Sequence, residues 1–307
     1  MEELKNCNLC PRKCGVNRLA GQKGYCGATQ EVFAGRAALH FWEEPCLSHT
    51  HGSGTVFFSH CTLGCVYCQN QQISREHQGT PVSLPRLSQI FLELQAQGAH
   101  NINLVTPTHY VPQIRLAIAR AQERGLHLPV VYNTSGYELI DTIRSLEDTV
   151  DIFLPDLKYL EEEVASRYSH APDYPHFATL ALEQMVRQTG PCVFSKEGLL
   201  QKGVIVRHLL LPGQLPASKK IVRYLHDAYG DDIYLSLMSQ YTPMSHLPQY
   251  PELNRKVSRR EYESLLDFAL RLGVKNCFIQ EGDAASESFI PSFDGQGIVP
   301  PSEKGVS

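Results

Sequence analysis

Three cysteines stand within eight residues in the stretch CTLGCVYCQN, residues 61–70. Cys61, Cys65 and Cys68 are separated by three and then two residues, so their thiols can converge on one centre. A structural zinc site needs a fourth protein ligand. A cubane iron–sulfur cluster contains four irons, so three thiolates leave one iron open to a substrate or a cofactor. Two other interpretations are a zinc site completed by Cys46 or a nearby histidine, and thiols that are only buried.

A second group of cysteines lies near the N-terminus, where Cys7, Cys10, Cys14 and Cys26 form the spacing C-x2-C-x3-C-x11-C. In a reducing compartment, clustered thiols are more often metal ligands than disulfides. Four thiols can close a tetrahedral site, and a short segment without a core gains most from such a staple. The pattern indicates a second metal site, for zinc or for a second iron–sulfur cluster. Binding by only some of these thiols is a third interpretation.

The elements that position these cysteines alternate between strands and helices after residue 54. Short apolar, β-branched runs predict buried parallel strands at residues 55–60, 101–106, 128–135, 150–158, 203–212, 232–241 and 274–282. Helices are predicted between them, one after the N-cap Ser83 and one after the capping box of Ser258 and Glu261. This alternation predicts an α/β fold, a partial or full (β/α) barrel, with a doubly wound open sheet as the second choice. Both folds place chemistry at the carboxyl ends of strands, and Cys61 follows the first strand directly.

The bulk composition limits the classes of protein to consider. The chain has 307 residues, of which 42% are apolar, so it can bury a sizeable core. A net charge of −4 gives no basic surplus for nucleic acid. No apolar run reaches the roughly 18 residues of a membrane-spanning helix, and the N-terminus lacks the apolar stretch of a signal peptide. We therefore expect a soluble, cytoplasmic protein without a nucleic-acid or membrane partner.

The chain divides by composition into three regions. Residues 1–50 lack the strand–helix alternation and are expected to form a Cys-rich segment. Residues 51–282 carry the barrel domain. Residues 283–307 are rich in Ser, Gly and Pro, which predicts an irregular tail.

The three-cysteine loop, with Tyr67 before its last cysteine, resembles that of the radical S-adenosylmethionine (SAM) superfamily. The runs NINLVTPTH, VVYNTSGY, DIFLPDLKY and VRHLLLPG are similar, in this order, to segments of pyruvate formate-lyase activating enzymes and their uncharacterised relatives. The similarity covers residues 50 to about 245. The N-terminal CNLCPRKCGVNR is like a segment of the uncharacterised, activating-enzyme-like branch.

The resemblance implies a specific chemistry. Cys61, Cys65 and Cys68 would hold a [4Fe-4S] cluster whose open iron binds the amino and carboxylate groups of SAM. One electron, from a donor such as a flavodoxin or ferredoxin, would cleave SAM to methionine and a 5′-deoxyadenosyl radical that abstracts a hydrogen atom. The chain would then be an iron-binding oxidoreductase with a barrel of the radical SAM type.

Asp156, Lys158 and Arg207 are the charged residues that we predict to contact the cofactor. Asp156 and Lys158 are two residues apart, so both point to one face of their strand. Arg207 lies inside an apolar run, and a buried arginine needs an anion. The resemblance assigns Asp156 and Lys158 to the cofactor pocket, where the lysine can pair with the cofactor carboxylate, and Arg207 to a place near the same carboxylate. An internal ion pair is the alternative for Asp156 and Lys158. His208 faces away from Arg207 and is predicted to be a packed core histidine.

Polar residues at the end of the third predicted strand add further contacts. Asn133, Thr134 and Ser135 match a segment that lines the cofactor pocket in the activating enzymes. Those enzymes have an acidic residue where Asn133 stands, so this chain lacks the acid that a cation site there would use.

One departure from the family follows the second predicted strand, where its members usually carry Gly-Gly-Glu to receive the cofactor amino group. This chain has VTPTHY at residues 105–110. Threonine hydroxyls and backbone carbonyls can accept from an ammonium group, so Thr106 and Thr108 are predicted cofactor contacts. His109 either faces the substrate or is a structural loop histidine.

Three functions remain open from the sequence. The first is activation of a glycyl radical enzyme, in which the substrate is a glycine α-carbon of a partner protein. The second is modification of a small molecule or a peptide by the same radical. The third is a zinc-stapled, non-catalytic binding protein. An open barrel side would admit a protein loop, whereas a tail folded over the barrel mouth would favour a small substrate.

Overall fold

The computed structural model describes residues 1–280 and 291–300. Within these residues, one sheet contains the strands β1 Val32–His40, β2 Ser53–Phe58, β3 Thr80–Val82, β4 Ile102–Val105, β5 Val130–Thr134, β6 Ile152–Pro155, β7 Val193–Phe194, β8 Leu200–Leu209, β9 Tyr234–Met238 and β10 Cys277–Ile279. Their order is β10-β9-β8-β6-β5-β4-β2-β1-β3, and β7 pairs with β8 off this path. The seven predicted strands are present as β2, β4, β5, β6, β8, β9 and β10, although the run 274–282 ends two residues outside the described part.

The sheet is parallel in its centre and open at its ends. Every neighbouring pair from β2 to β10 along the order is parallel. These strands follow one another in chain order, whereas a doubly wound sheet reverses direction at a switch point. In the described part of the chain, β3 and β10 do not pair with each other, so the barrel is partial. The predicted partial (β/α) barrel is confirmed.

Nine α-helices accompany the strands in the described residues: α1 Pro45–Ser48, α2 Gln71–Ser74, α3 Leu84–Ala96, α4 Val111–Gln122, α5 Ile140–Arg144, α6 Glu162–Ser169, α7 Tyr174–Thr189, α8 Leu215–Tyr229 and α9 Arg259–Leu272. Ser83 caps α3 through its side chain, and Ser258 and Glu261 form the predicted capping box of α9. The apolar faces of both helices are buried in the core. No helix of the described residues combines the length and apolar composition that crossing a membrane requires.

One strand of the sheet comes from the region assigned to the Cys-rich N-terminal segment. β1 runs antiparallel to β2, and β3 pairs antiparallel with β1. The sequence of β1, VFAGRAALH, is rich in alanine and contains Gly35, so it lacks the β-branched run that marks the other strands. Residues 1–31 contain two short 3-10 turns, Glu2–Leu4 and Arg18–Ala20, and no strand or α-helix.

The described part of the C-terminal tail, residues 291–300, packs along the outer edge of β1. Gly295 N donates to Gly35 O at 2.9 Å. Arg86 of α3 holds the same segment by donating to Ile298 O at 2.7 Å. This part of the tail therefore lies on the side of the sheet where the barrel is open. The rest of the predicted irregular tail lies outside the described residues.

Candidate active site

A cavity of about 320 Å³ lies at the carboxyl ends of the parallel strands. Its volume is in the range of small-molecule sites. Cys61, Cys65 and Cys68 line this cavity. It is also lined by seven of the eight predicted cofactor contacts: Thr106, Asn133, Thr134, Ser135, Asp156, Lys158 and Arg207. The fold thus brings residues from the ends of several strands to one place.

Each sulfur of the cysteine loop accepts a hydrogen bond from a protein group. The amide two residues after Cys61 donates to its Sγ at 3.4 Å. The Ser169 hydroxyl donates to Cys65 Sγ at 3.0 Å, and the Ser74 hydroxyl donates to Cys68 Sγ at 3.2 Å. Donors aimed at sulfur favour the thiolate form that a metal ligand must take.

Tyr67, the aromatic residue of the cysteine motif, ties the loop to the core. Its hydroxyl and that of Tyr159 are hydrogen bonded at 2.6 Å, and Tyr159 is hydrogen bonded to Ser169 Oγ at 2.9 Å. Ser169, the last residue of α6, in turn donates to Cys65 Sγ. A continuous chain of hydrogen bonds therefore sets the direction of Cys65.

The three sulfurs have the donor chemistry of iron–sulfur ligands. They come from one short loop, and soft thiols beside an open cavity suit a cluster that keeps one position free. Burial raises the pKa of the Cys61 thiol and raises that of Cys68 to about 11, because a buried thiolate lacks a counter-charge. A bound metal supplies that charge. Across the described residues, no three His, Cys, Asp or Glu side chains are arranged so that they could hold a single metal ion.

Asp156 joins two cations in an ion network on the cavity wall. Its carboxylate accepts from Lys158 Nζ at 2.6 Å and from Arg207 Nε at 3.1 Å. Burial raises the pKa of Asp156, but the two cations outweigh burial and hold that pKa below its ordinary value. The internal ion pair considered for Asp156 and Lys158 is therefore present, and both residues also face the cavity.

Arg207 has anionic partners inside the protein. Beside Asp156, its guanidinium lies 3.3 Å from Glu43 Oε2 and donates to Asn133 Oδ1 at 2.6 Å. These contacts already balance the charge of the buried arginine. A direct contact between Arg207 and a cofactor carboxylate therefore stays a prediction.

Glu43 and Glu44 line the cavity, although sequence reasoning missed them. They follow β1 in the run FWEEP, outside the strand–helix alternation. Burial raises the pKa of both carboxyl groups. Glu43 also accepts from Asn103 Nδ2 at 3.0 Å. The signal that could have found Glu43 is the buried Arg207, which requires an anion from elsewhere in the chain.

The VTPTHY loop brings one of its two predicted threonines to the cavity. Thr106 lines the cavity with a left-handed backbone, φ +59°. Thr108 is buried outside the cavity, where its hydroxyl donates to Glu138 Oε1 at 2.6 Å. The strand ends before Pro107, and a 3-10 turn, Thr108–Tyr110, follows. Because the chain turns there, Thr108 is not brought to the cavity that Thr106 lines.

Two histidines singled out in the sequence are buried in the protein. His109 is 2% exposed, and its Nε2 lies 2.7 Å from Ser59 O. Burial, with a smaller effect of Arg18, holds the pKa of His109 well below its ordinary value, so the imidazole is neutral. His208 is hydrogen bonded to Ser218 Oγ at 2.8 Å in the core. These positions agree with a structural role for His109 and a packed core position for His208.

The four N-terminal cysteines line a second cavity, of about 10 Å³. Cys7, Cys10, Cys14 and Cys26 all contribute to its wall, together with Arg18. All of them are free thiols. The fold therefore brings together the thiols that their spacing grouped, and the metal expected there stays a prediction.

An open parallel sheet, with three cysteines on the loop after its first parallel strand, defines a partial α/β barrel with a candidate cluster site at its mouth. Residues 55–177 match the family model described as the Radical SAM superfamily. The match includes the cysteine loop and the Asp156–Lys158 pair. The activating-enzyme-like branch stays a prediction, because the model describes the superfamily as a whole.

Similar proteins come from archaea and bacteria. Uncharacterized protein MJ0674 of Methanocaldococcus jannaschii is 27% identical over 276 residues, which are 87% of this chain and 75% of that protein. Crystal structures of Streptococcus suis SuiB, bound to precursor peptide SuiA and to SAM, share 11% and 14% identity with this chain, each with a TM-score of 0.48. They cover 72% of this chain and 46% and 48% of SuiB, so this chain spans about half the length of SuiB.

Proposed function

We propose that the chain is a radical SAM enzyme in which Cys61, Cys65 and Cys68 hold a [4Fe-4S] cluster and the adjoining cavity binds SAM. The observation that carries this proposal is that the three sulfurs line the same cavity as the ion pair of Asp156 and Lys158. The match to the radical SAM model supports it. When bound, the reduced cluster supplies the electron that cleaves SAM, and the resulting radical abstracts a hydrogen atom from the substrate.

Lys158 is the residue proposed to bind the cofactor carboxylate. Burial lowers its pKa, but Asp156 outweighs burial and raises it overall, so the ammonium stays charged. An ammonium has three donors, and the Asp156 carboxylate occupies one of them. The remaining donors can serve a ligand. Arg207 acts as a positioning residue because it fixes the other oxygen of Asp156.

Some polar side chains of the cavity already hydrogen bond to other protein groups, whereas others can still bind a ligand. Thr134 donates its hydroxyl to Glu138, and Asn133 Oδ1 accepts from an arginine. In the described part of the chain, the hydroxyls of Thr106 and Ser135 make no hydrogen bond to protein. We therefore assign Thr106 and Ser135 as the side-chain contacts for the cofactor ammonium or ribose, and the other two as supports of the cavity wall.

We propose a glycine α-carbon of a partner protein as the substrate, with a flavodoxin or ferredoxin as the electron donor. The resemblance to activating enzymes motivates this choice, and the gap between β3 and β10 supports it because a protein loop needs an open side. A second candidate is a small molecule or a peptide. It is favoured by the tail, since Pro291 lines the cavity and the following residues pack along β1 at the open side.

Anaerobic reconstitution with iron and sulfide tests the proposed enzyme class. The wild-type cluster loop should take up about four irons and four sulfides per chain, and dithionite should then release methionine and 5′-deoxyadenosine from SAM. Cys65→Ala should abolish both results. Cys277→Ala, on β10, is the matched control and should preserve both. Turnover that survives Cys65→Ala would exclude this loop as the cluster site, and zinc binding without iron would favour the non-catalytic alternative.

Deuterium transfer tests the substrate. Cells are grown on α-deuterated glycine, and their extract is separated into a protein fraction and a small-molecule fraction. Each fraction is incubated with the reduced enzyme and SAM. Deuterium in 5′-deoxyadenosine, together with a protein-bound radical in the electron paramagnetic resonance spectrum, is expected from the protein fraction. Deuterium from the small-molecule fraction alone would replace the glycyl substrate with the second candidate.

A further inference from the structure

We propose that the substrate carries a positively charged nitrogen group, an ammonium or a guanidinium, which binds in the large cavity against the carboxylate of Glu44. The inference rests on the proposed function, because it takes the cavity beside the three cysteines as the place of the reaction. It adds the chemical class of the substrate. The charged group belongs to a side chain beside the glycine if the substrate is a protein, and to the molecule itself if the substrate is small.

Glu43 and Glu44 stand on a rigid turn between β1 and α1. Pro45 begins the helix and holds the backbone of Glu44 extended, with φ −53° and ψ 144°. Glu43 N donates to the Ser48 hydroxyl at 3.1 Å, and that hydroxyl donates to His40 O at 3.3 Å. The two acids are therefore held in place before any ligand binds, so that binding costs little conformational entropy.

The two carboxylates differ in the partners that they have. Glu43 accepts from Asn103 Nδ2 at 3.0 Å and lies 3.3 Å from Arg207 Nη1. Glu44 is 7% exposed, and its Oε2 is buried without a hydrogen-bond partner among the described residues. Glu44 also forms no ion pair in this part of the chain. Because a buried carboxylate without a partner is costly, Glu44 is the acid that a ligand cation would stabilise.

The charged side chains of the cavity wall leave one negative charge in excess within the described residues. They are three acids and two cations: Glu43, Glu44, Asp156, Lys158 and Arg207. Asp156 contacts both cations, and Glu43 shares one of them. His40, which also lines the wall, is neutral because burial lowers its pKa to about 4. A cation therefore completes the charge balance of the wall, whereas a further anion would be repelled.

Glu44 lies at the floor of the cavity. Burial raises its pKa, whereas Arg207 and the Ser236 hydroxyl lower it, so both side chains lie close to this carboxyl group. Arg207 on β8 is paired with Ser236 on β9. Below them, Leu47 of α1 packs in a cluster with Ile205, which precedes Arg207 by two residues. Helix α1 thus covers the amino ends of the strands, and the acids face the cavity above it.

The cysteine loop is fixed above this floor. Arg12 donates to Thr62 O and to Leu63 O, both at 3.2 Å. In the proposed function the amino and carboxylate groups of SAM are held at this loop and at Lys158, which follows the end of β6. The cofactor therefore stays at the level of the loop. A substrate between the loop and the floor can bring its reacting carbon to the cofactor while its cation reaches Glu44.

Trp42 adds an aromatic surface next to the two acids. It is 61% exposed and lines the cavity. The face of an indole ring attracts ammonium and guanidinium groups, so a tryptophan beside carboxylates suits a cation that enters the site. Trp42 is also the single tryptophan of the chain, so its fluorescence reports what binds there.

Fluorescence of Trp42 tests the inference without turnover. The full chain, with cluster and SAM but without dithionite, is titrated with n-butylammonium and with acetyl-Gly-Lys-Gly-amide. Their uncharged matches are n-butanol and the same peptide with norleucine in place of lysine. At least one charged probe should bind about tenfold more tightly than its uncharged match. Tighter binding of the peptide indicates a protein substrate, and tighter binding of n-butylammonium indicates a small molecule.

Glu44→Gln should lower the affinity for the charged probe about tenfold and leave that for the uncharged match unchanged, because it removes the charge and keeps the shape. Glu183→Gln, at an exposed position on α7, is the matched control and should change neither affinity. Thermal unfolding checks that both variants fold. If Glu44→Gln does not fold, the charged probe should raise the Tm of the wild type more than its match does, and equal shifts would overturn the inference.

Three results of the titrations count against the cation site. They are equal affinities within both pairs of probes, a charged-probe affinity that Glu44→Gln leaves unchanged, and a SAM affinity that falls as far as the probe affinity, which would assign Glu44 to the cofactor. The same titrations of the chain without cluster or SAM do not depend on the proposed function. Binding of the charged probe without any SAM cleavage would therefore contradict the enzyme proposal alone, and the reverse result would contradict the cation site alone.

Discussion

Asp156 balances two cations at the cavity wall, and it does so with only 18% of its side chain exposed. Its two oxygens are divided between Lys158 and Arg207. Loss of the carboxylate charge would leave two like charges close together in a poorly hydrated place. The residue therefore governs both local stability and the direction in which the Lys158 ammonium points.

We expect Asp156→Asn to lower the free energy of unfolding by about 2–3 kcal/mol, because it leaves buried cations without their partner. SAM affinity should fall as well, since Lys158 loses its orientation. Denaturant titration and equilibrium binding measure the two effects. Glu183→Gln, which breaks an exposed pair with Arg187, is the control and should cost less than about 0.5 kcal/mol. If both variants lost the same free energy of unfolding, the result would contradict a buried ion network at Asp156.

Glu138 is a buried acid whose protonation should be visible in the stability of the protein. Burial raises its pKa to about 7, although hydroxyls of Thr108, Thr134 and Tyr132 all donate to one of its oxygens. Below the ordinary pKa of 4.5 both the folded and unfolded states are protonated. Between pH 4.5 and 7 the unfolded state ionises first, so stability falls as pH rises through this window.

Glu138→Gln should remove that dependence. The stability difference between wild type and variant should shift by about 3 kcal/mol in favour of the variant from pH 4.5 to pH 7.5, from a shift of roughly 2.5 pH units. Urea titrations at several pH values measure it. Parallel pH profiles for the two proteins would show that the carboxyl is not buried as described.

Strand geometry explains which site residues the sequence could predict. Asp156 and Lys158 were found because positions two apart share a face. Thr108 was chosen for its hydroxyl alone, and the chain turns at Pro107, so that its side chain lies outside the cavity. Glu43 has no periodic signal, since its position depends on the connection between β1 and α1. Only the need of Arg207 for an anion points to it.

At the scale of elements, the ends of β5 and β6 determine the shape of the cavity. Gly136 follows β5 with φ +81°, and a side chain there would collide with the carbonyl oxygen of Asp156. The loop after β5 thus packs directly on the backbone of the residue that holds the ion network. Gly125, after α4, has φ +99° but no neighbour within 4 Å of an added Cβ.

Gly136→Ala and Gly125→Ala form a matched pair. Each substitution should lower the free energy of unfolding by about 1 kcal/mol, because alanine is disfavoured in the left-handed backbone conformation that the glycine adopts. Gly136→Ala should cost about 2 kcal/mol more and weaken SAM binding, because the loop must move away from Asp156. Thermal unfolding and binding titrations measure this. A SAM affinity unchanged in Gly136→Ala would argue against the cofactor lying beside these two strands.

Seven of the ten strands in the described residues were predictable as elements, and β1, β3 and β7 were not. β2, β4 and β5 are buried on both faces, so their apolar runs are continuous and easy to recognise. β1 consists of small residues that pack under the tail and α2, where Gly35 leaves no room for a side chain. Its partner β2 follows after a connection that is too long for a tight hairpin turn, and its other partners, β3 and the tail, are more distant in sequence, so no local pattern indicates the pairing.

At the scale of the whole molecule, the tail supports the cavity from outside. Phe293 packs on Phe57, with ring centroids 5.6 Å apart, in a cluster with Ile73 and Val105. These three partners of Phe293 also line the cavity. The seven parallel strands could be predicted from the sequence. Whether the barrel closes could not be predicted from the sequence, because closure depends on pairing between the two ends of the sheet and on where the tail lies.

Phe293→Ala should loosen the cavity wall without touching the ion network. We expect a loss of about 1–2 kcal/mol in stability, since the side chain is only half-buried. Cleavage of SAM without substrate should rise several-fold, because water can then enter the site. Leu270→Ala, at a 75% exposed position on α9, is the control and should change neither property. Unchanged uncoupled cleavage in Phe293→Ala would mean that the tail does not help to seal the cavity.

The bonds from Arg12 to the carbonyls of Thr62 and Leu63 also bear on how the protein is made. The N-terminus leaves the ribosome first, so the segment with the first four cysteines is complete well before the three-cysteine loop is synthesised. The Arg12 side chain is therefore already made when the loop that it contacts emerges, so the loop can fold against an existing partner.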